Sequence, residues 1–164
     1  KGDLLILQNE LDHSPAIMRM ASERGMTIIF NPSPVNSTLN SYPLTCVDWF
    51  LLNEIEGKAL TQETEPKRIL AVLKALYPNA GIVLTLGEKG SLYADQAQKC
   101  FQPAFRVKAV DTTAAGDTYV GALAVKLGEG AEIEEAMIFA GRASAITVTR
   151  KGAQQAVPFR SEIE

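Results

Sequence analysis

Short apolar runs spaced between helical patterns constrain this chain more than any other feature. Leu4-Leu5-Ile6-Leu7 is a continuous apolar stretch of strand length, the pattern of a strand covered on both faces, and Gly81 to Leu86 reads as another buried strand. Met26 to Phe30 and Val47 to Leu52 read as two further strands, and Ser91 to Ala94 as another after a turn. Helical stripes lie between and after them: Ile17, Met18 and Ala21; Ile69, Val72, Leu73 and Leu76; Val120, Leu123, Ala124 and Leu127; Ile133, Ala136, Met137 and Ala140. Ser14-Pro15 reads as an N-cap followed by the first helical residue, with that helix closing by Gly25. Pro66 to Tyr77 and Ala131 to Thr147 are the long helices, and another opens near Gly116. Lys99 to Val110, broken by Pro103, suggests short edge strands, and Lys151-Gly152 ends the ordered pattern. Strands alternating with helices predict an α/β layered fold with a largely parallel sheet.

At 164 residues the chain fits a single domain, 1–164, with a real core. A net charge of −3 with interspersed signs makes no electrostatic case for nucleic acid or an acidic membrane. No apolar run approaches the roughly 20 residues of a membrane span. Cys46 and Cys100 match no metal or redox spacing and read as reduced thiols of a cytoplasmic protein. The chain starts without Met, almost directly on a buried-looking strand, and is expected to be a piece of a longer polypeptide.

Polar residues follow several of the strands, and in open α/β sheets ligands bind at that end. Glu10 follows the first run, Asn31-Pro32-Ser33-Pro34 makes a rigid turn after the second, and Asn53 and Glu56 follow the third. Asn53 and Glu56 are three apart and share a face at a helix start, where a cap with a solvated acid is the plain reading. His13 has no ligand set around it and reads as a surface residue. The stretch from Asp111 to Tyr119 is the most distinctive. Ala114, Ala115 and Gly116 carry little side chain at a helix N-terminus, where unpaired N–H groups favour an anion. Asp117 stands in the first turn beside them. It is either a helix-start charge or a general base next to an anion hole, the pairing phosphoryl transfer to a hydroxyl requires. Neither Gly-x-x-x-x-Gly-Lys-Ser/Thr nor Gly-x-Gly-x-x-Gly occurs, which weighs against P-loop enzymes and dinucleotide dehydrogenases.

Asp-Thr-Thr-Ala-Ala-Gly-Asp-Thr-Tyr resembles the signature of the ribokinase-like sugar kinases, the phosphofructokinase B family, and the resemblance extends to Thr149-Arg150-Lys151-Gly152-Ala153-Gln154. It implies the C-terminal portion of a three-layer α/β/α sandwich, without the N-terminal part and β lid. It also implies a cytoplasmic enzyme that phosphorylates D-ribose to ribose 5-phosphate with ATP, Mg²⁺ and K⁺, as a homodimer at full length. Asp117 would accept the sugar proton, while the backbone of Ala114, Ala115 and Gly116 would hold the developing charge. Glu10 would touch sugar hydroxyls, its alternative being a solvated loop acid. Asn53 would reach the nucleotide phosphates and Glu56 would hold Mg²⁺ through water, one carboxylate sufficing for a cation that keeps its waters. The Thr85-Leu86-Gly87-Glu88-Lys89-Gly90 turn matches the segment used against ATP. Asp111, Thr113, Thr147, Arg150 and Gly152 would form the K⁺ site, the last four through carbonyl oxygens. For Asp111 the alternative is a turn-forming Asx residue. The family's similar turn reads Asn-Pro-Ala-Pro, and Asn31 could be structural or line the site. Two departures stand out: Ala156 replaces a serine of the cation loop, and Gly141 a histidine near the adenine. The resemblance also admits a kinase for another sugar or nucleoside, or a non-catalytic nucleotide-binding fragment.

Overall fold

The computed structural model describes residues 2–164. Six strands form one sheet in the order β1 to β6: β1 (Leu4–Gln8), β2 (Thr27–Asn31), β3 (Trp49–Asn53), β4 (Gly81–Thr85), β5 (Gly90–Ala94) and β6 (Lys99–Pro103). The first four are parallel. Six α-helices accompany them: α1 (Ser14–Glu23), α2 (Glu54–Thr61), α3 (Pro66–Leu76), α4 (Ala115–Gly128), α5 (Ile133–Val148) and α6 (Arg160–Ile163). Among the described residues no helix is long and apolar enough to cross a membrane. The chain divides into two compact units, one of the residues up to Leu86 with Leu92–Cys100, the other of Gly87–Ser91 with Phe101–Glu164.

In the first unit, Leu7, Ile28, Phe30, Phe50, Leu52, Ile82 and Leu84 meet Met18 and Ala21 of α1 and Ile69, Leu70 and Leu73 of α3 in one core. Ile29, Leu51 and Val83, which alternate with those residues along β2 to β4, are equally buried, so these strands are covered on both faces as apolar runs require. β1 departs from that expectation. It is an edge strand, and Ile6 is 46% exposed. Gly81 permits the close approach of Trp49, whose ring lies 2.6 Å from where a Cβ would stand; Trp49 in turn stacks on Tyr93.

In the second unit α4 and α5 form a helical hairpin. Leu123 and Ala124 are buried on one, and Ile133, Ala136, Met137 and Ala140 on the other. The turn closes at Gly130, where φ is +80°. Lys126 spans to Glu135 at 2.9 Å and lies over the Phe139 ring.

Three boundaries and one burial differ from the sequence reading. Ser14 is inside α1 rather than its cap: Pro15 occupies the first turn, and the Ser14 hydroxyl donates to the Leu11 carbonyl at 2.8 Å. Only Lys99–Pro103 of the stretch to Val110 is strand, because residues 104–110 leave the ladder after Pro103. Order continues past Gly152 through a 3₁₀ turn at Gln154–Ala156 and α6, held by buried Ala156 and Ile163. The acid of Asn-x-x-Glu is not solvated: Glu56 is 6% exposed.

Candidate functional site

The parallel register of the first unit lines up the ends of its strands. Gln8 pairs with Asn31, and Asn53 with Thr85, so Asn9-Glu10, Asn31, Asn53 and Thr85 stand at or just past the C-terminal ends of the parallel strands. Glu10 is exposed at this edge. Asn9 before it is buried. It accepts from the Tyr42 hydroxyl at 2.6 Å, and its amide donates to the Pro34 carbonyl. Asn31 is a turn-former: its amide donates to the Leu51 carbonyl at 2.9 Å and its oxygen accepts from the Ser33 N–H at 3.0 Å.

Asn53 ends β3 and caps α2. Its side-chain oxygen accepts from the N–H groups of Ile55 and Glu56, at 2.9 and 3.0 Å. Glu56 returns the bond, its carboxylate accepting from the Asn53 N–H and the Asn53 amide, both at 2.9 Å. This is a capping box, formed because Asn and Glu stand three apart where a strand turns into a helix. Burial nevertheless holds the Glu56 pKa above its ordinary value, and the bonds from Asn53 only partly offset that. Each carboxylate oxygen retains lone-pair capacity for an outer water, so the donor set fits a hydrated Mg²⁺ held at one remove. Among the described residues no group of three or more His, Cys, Asp or Glu could hold a metal directly.

Leu86 is buried in the core of the first unit, and the second unit carries the remaining predicted residues. Gly87 and Gly90 bracket a 3₁₀ turn through Glu88 and Lys89, with φ of +57° and +119°. A Cβ at Gly90 would lie 2.1 Å from the Gln102 carbonyl oxygen. Glycine is obligatory there.

The Asp111–Asp117 segment enters α4 through Ala114, a non-glycine residue at φ +60°. That left-handed turn costs roughly 1 kcal/mol and re-aims the backbone at the helix start. The Ala115 N–H is partly engaged, donating to the Thr112 carbonyl at 3.3 Å, and the Ala114 carbonyl accepts from Thr118 at 2.9 Å. Gly116 is exposed, and a Cβ added there would meet nothing within 4 Å. Asp117 is exposed beside it in the first turn. α5 supports this entrance. Ser144 donates to the Ala115 carbonyl at 3.0 Å, and Thr147 bonds Thr118 at 3.2 Å.

Three of the residues expected around K⁺ are brought together. Asp111 accepts from the Thr113 N–H at 2.9 Å, the Thr113 hydroxyl at 2.7 Å and the Gly152 N–H at 3.0 Å. Those bonds, that from Gly152 foremost, hold its pKa down at about 2. Asp111 is thus an Asx turn-former and an ionised carboxylate at once, which keeps it suited to a cation. The Thr147 carbonyl accepts from Arg150 N–H at 3.0 Å, and the Arg150 guanidinium pairs with Glu162. Ala156 is buried and offers no side-chain ligand. Gly141 faces the Phe105 ring, 3.3 Å from its would-be Cβ.

Sequence reasoning gave Asn9 only as a polar group at a strand's end and did not single out Ser144. Each acts through a partner distant in the chain, and a lone Ser or Asn carries no periodic signal.

Comparison with known proteins places these features in context. A family model described as pfkB family carbohydrate kinase matches residues 2–160. The ribokinase of Bacillus subtilis is 34% identical over 166 residues, covering 100% of this chain and 55% of that protein. A deoxyribokinase of Salmonella typhi is also 34% identical, over 96% of this chain and 54% of its own length. The structure of Arabidopsis thaliana ribokinase complexed with ribose and ATP superposes with a TM-score of 0.86 at 28% identity, covering 98% of this chain and 54% of that one. The chain spans about half the length of the relatives it matches.

Proposed function

Because this chain belongs to the pfkB family of carbohydrate kinases, we propose that the polypeptide carrying it transfers the γ-phosphoryl group of ATP to D-ribose, giving ribose 5-phosphate. The observation that carries this reading is the start of α4, where Asp117 stands beside exposed Gly116. Asp117 accepts the proton of the attacking sugar hydroxyl. The N–H groups at the helix start, Gly116 foremost, stabilise the charge developing on the transferred phosphoryl oxygens, with Ala115 contributing through its weaker, shared N–H and Ala114 by setting the turn. Such transfer depends mainly on positioning and charge stabilisation, so one base and a small-residue entrance suffice.

Asn53 and the Thr85–Gly90 turn (Thr85, Leu86, Gly87, Glu88, Lys89, Gly90) bind nucleotide, and Glu10 the sugar. Glu56 holds Mg²⁺ through water; when bound, that ion neutralises charge on the nucleotide phosphates. Asp111 and the carbonyls of Thr113, Thr147, Arg150 and Gly152 hold K⁺, keeping the α4 entrance in shape. The full polypeptide is a cytoplasmic homodimer.

A second sugar is favoured by one observation, the equal 34% identity to ribokinase and deoxyribokinase. The experiment is phosphorus NMR of the products formed by the full polypeptide from ATP with ribose, 2-deoxyribose or fructose. Preferential ribose 5-phosphate supports the reading. Faster deoxyribose turnover keeps the mechanism and changes the substrate, and no product from any sugar refutes kinase activity.

A further inference from the structure

The peptide that joins Ala115 to Gly116 is gripped by a side chain of the neighbouring helix. Ser144 of α5, partly buried, donates its hydroxyl proton to the Ala115 carbonyl at 3.0 Å. A serine inside a helix often turns that proton back on a carbonyl of its own helix. Thr147, nearly one turn further along α5, does so, bonding the Ala143 carbonyl at 3.0 Å. Ser144 has one proton and directs it across to α4. A helical carbonyl has two lone pairs and the helix ladder uses one of them, so the second can accept from such a donor. The same end of α5 holds the chain before the turn: the Val148 carbonyl accepts from the N–H groups of Val110 and Asp111, at 2.7 and 3.2 Å. α5 thus clamps both the segment that enters the left-handed turn at Ala114 and the first residue that leaves it.

A trans peptide is planar, with its N–H antiparallel to its C=O. Fixing the Ala115 oxygen therefore fixes the direction of the Gly116 N–H, which belongs to the second residue of α4 and has no partner within the helix. A hydrogen bond on the oxygen also polarises the group and strengthens the N–H as a donor. We propose that Ser144 is a positioning residue for phosphoryl transfer: through the Ala115 carbonyl it aims and strengthens the Gly116 N–H toward the charge that develops on the transferred group. The assignment rests on the kinase reading of the α4 entrance given above.

The test compares wild type, Ser144→Ala, Ser144→Thr and Asp117→Asn in the full polypeptide. It measures single-turnover transfer to ribose or 2-deoxyribose, whichever is phosphorylated faster, calorimetry of ADP with and without aluminium fluoride (a mimic of the phosphoryl group in flight), and melting temperature. Removing an anion-hole donor outright costs about 10²–10³-fold in rate; Ser144 acts on one at second hand, so Ser144→Ala is expected to slow transfer, and to weaken the ADP–aluminium fluoride complex, by about tenfold. Affinity for ADP alone should stay within about threefold of wild type, because the bond serves the transition state and not the ground state. The melting temperature should also stay near wild type, alanine being the better helix former. Ser144→Thr, which keeps the hydroxyl, should recover most of both losses. Transfer and aluminium fluoride binding unchanged in Ser144→Ala, while Asp117→Asn slows transfer, overturn the role of Ser144 alone. A fall in ADP affinity and melting temperature in step with the rate makes Ser144 only a strut between helices and also overturns the proposal. No transfer by wild type overturns the kinase reading itself, and this role with it.

Discussion

Gly87 and Gly90 stand three residues apart in the same turn, both at positive φ, yet they answer differently to a methyl group. At Gly87 a Cβ meets nothing within 4 Å, so alanine incurs only the left-handed penalty, about 1 kcal/mol. At Gly90 it lands 2.1 Å from a backbone oxygen and 2.8 Å from the Ala104 nitrogen, neither of which can rotate away. Gly90→Ala is expected to lower stability by roughly 3 kcal/mol or more, and urea midpoints of the two variants check the contrast. Asp111 gives a prediction in pH. Its pKa is depressed from 3.8 to about 2, so the bonds to Thr113 and Gly152 contribute stability that is complete above 3.8 and lost as pH falls through about 2. Asp111→Asn should remove that acid-limb dependence, read as melting temperature against pH. Glu56 has the opposite sign. Its raised pKa means the buried charge costs stability above the folded value, a cost that disappears below the ordinary 4.5.

Among the elements, α2 depends most on its first residue pair. Asn53→Ala removes acceptors for two helix N–H groups and one donor to Glu56. It should cost about 1–2 kcal/mol, measured by denaturant unfolding. Asn53 and Glu56 were legible as a pair because helix spacing puts them on one face. The burial of Glu56 was not, since helix spacing gives a shared face but not what packs over it. The start of α4 was legible from the stripe of Val120, Leu123 and Ala124. The left-handed Ala114 was hidden, because alanine carries no sign of positive φ. α6 escaped because four residues hold no helical period, and Ser14 passed for a cap because Ser-Pro fits the first or the second position of a helix start.

For the molecule, the α/β class was readable from strands alternating with helical stripes: short apolar runs demand cover on both faces, and β2 to β4 receive it. Ile6 shows the limit of that argument, since an apolar run does not say whether its strand is central or at an edge. The candidate site was readable mainly through family resemblance at Asp111–Asp117; composition and spacing alone left Asp117 as either a helix charge or a base. Those alternatives differ most directly in one measurement, single-turnover phosphoryl transfer to ribose by the full polypeptide and its Asp117→Asn variant, alongside ATP affinity. A general base predicts that the variant binds ATP within about threefold of wild type while transfer slows by about 10²–10⁴-fold. Transfer within about tenfold of wild type, at unchanged ATP affinity, would contradict the account and leave Asp117 a charge at the start of a helix.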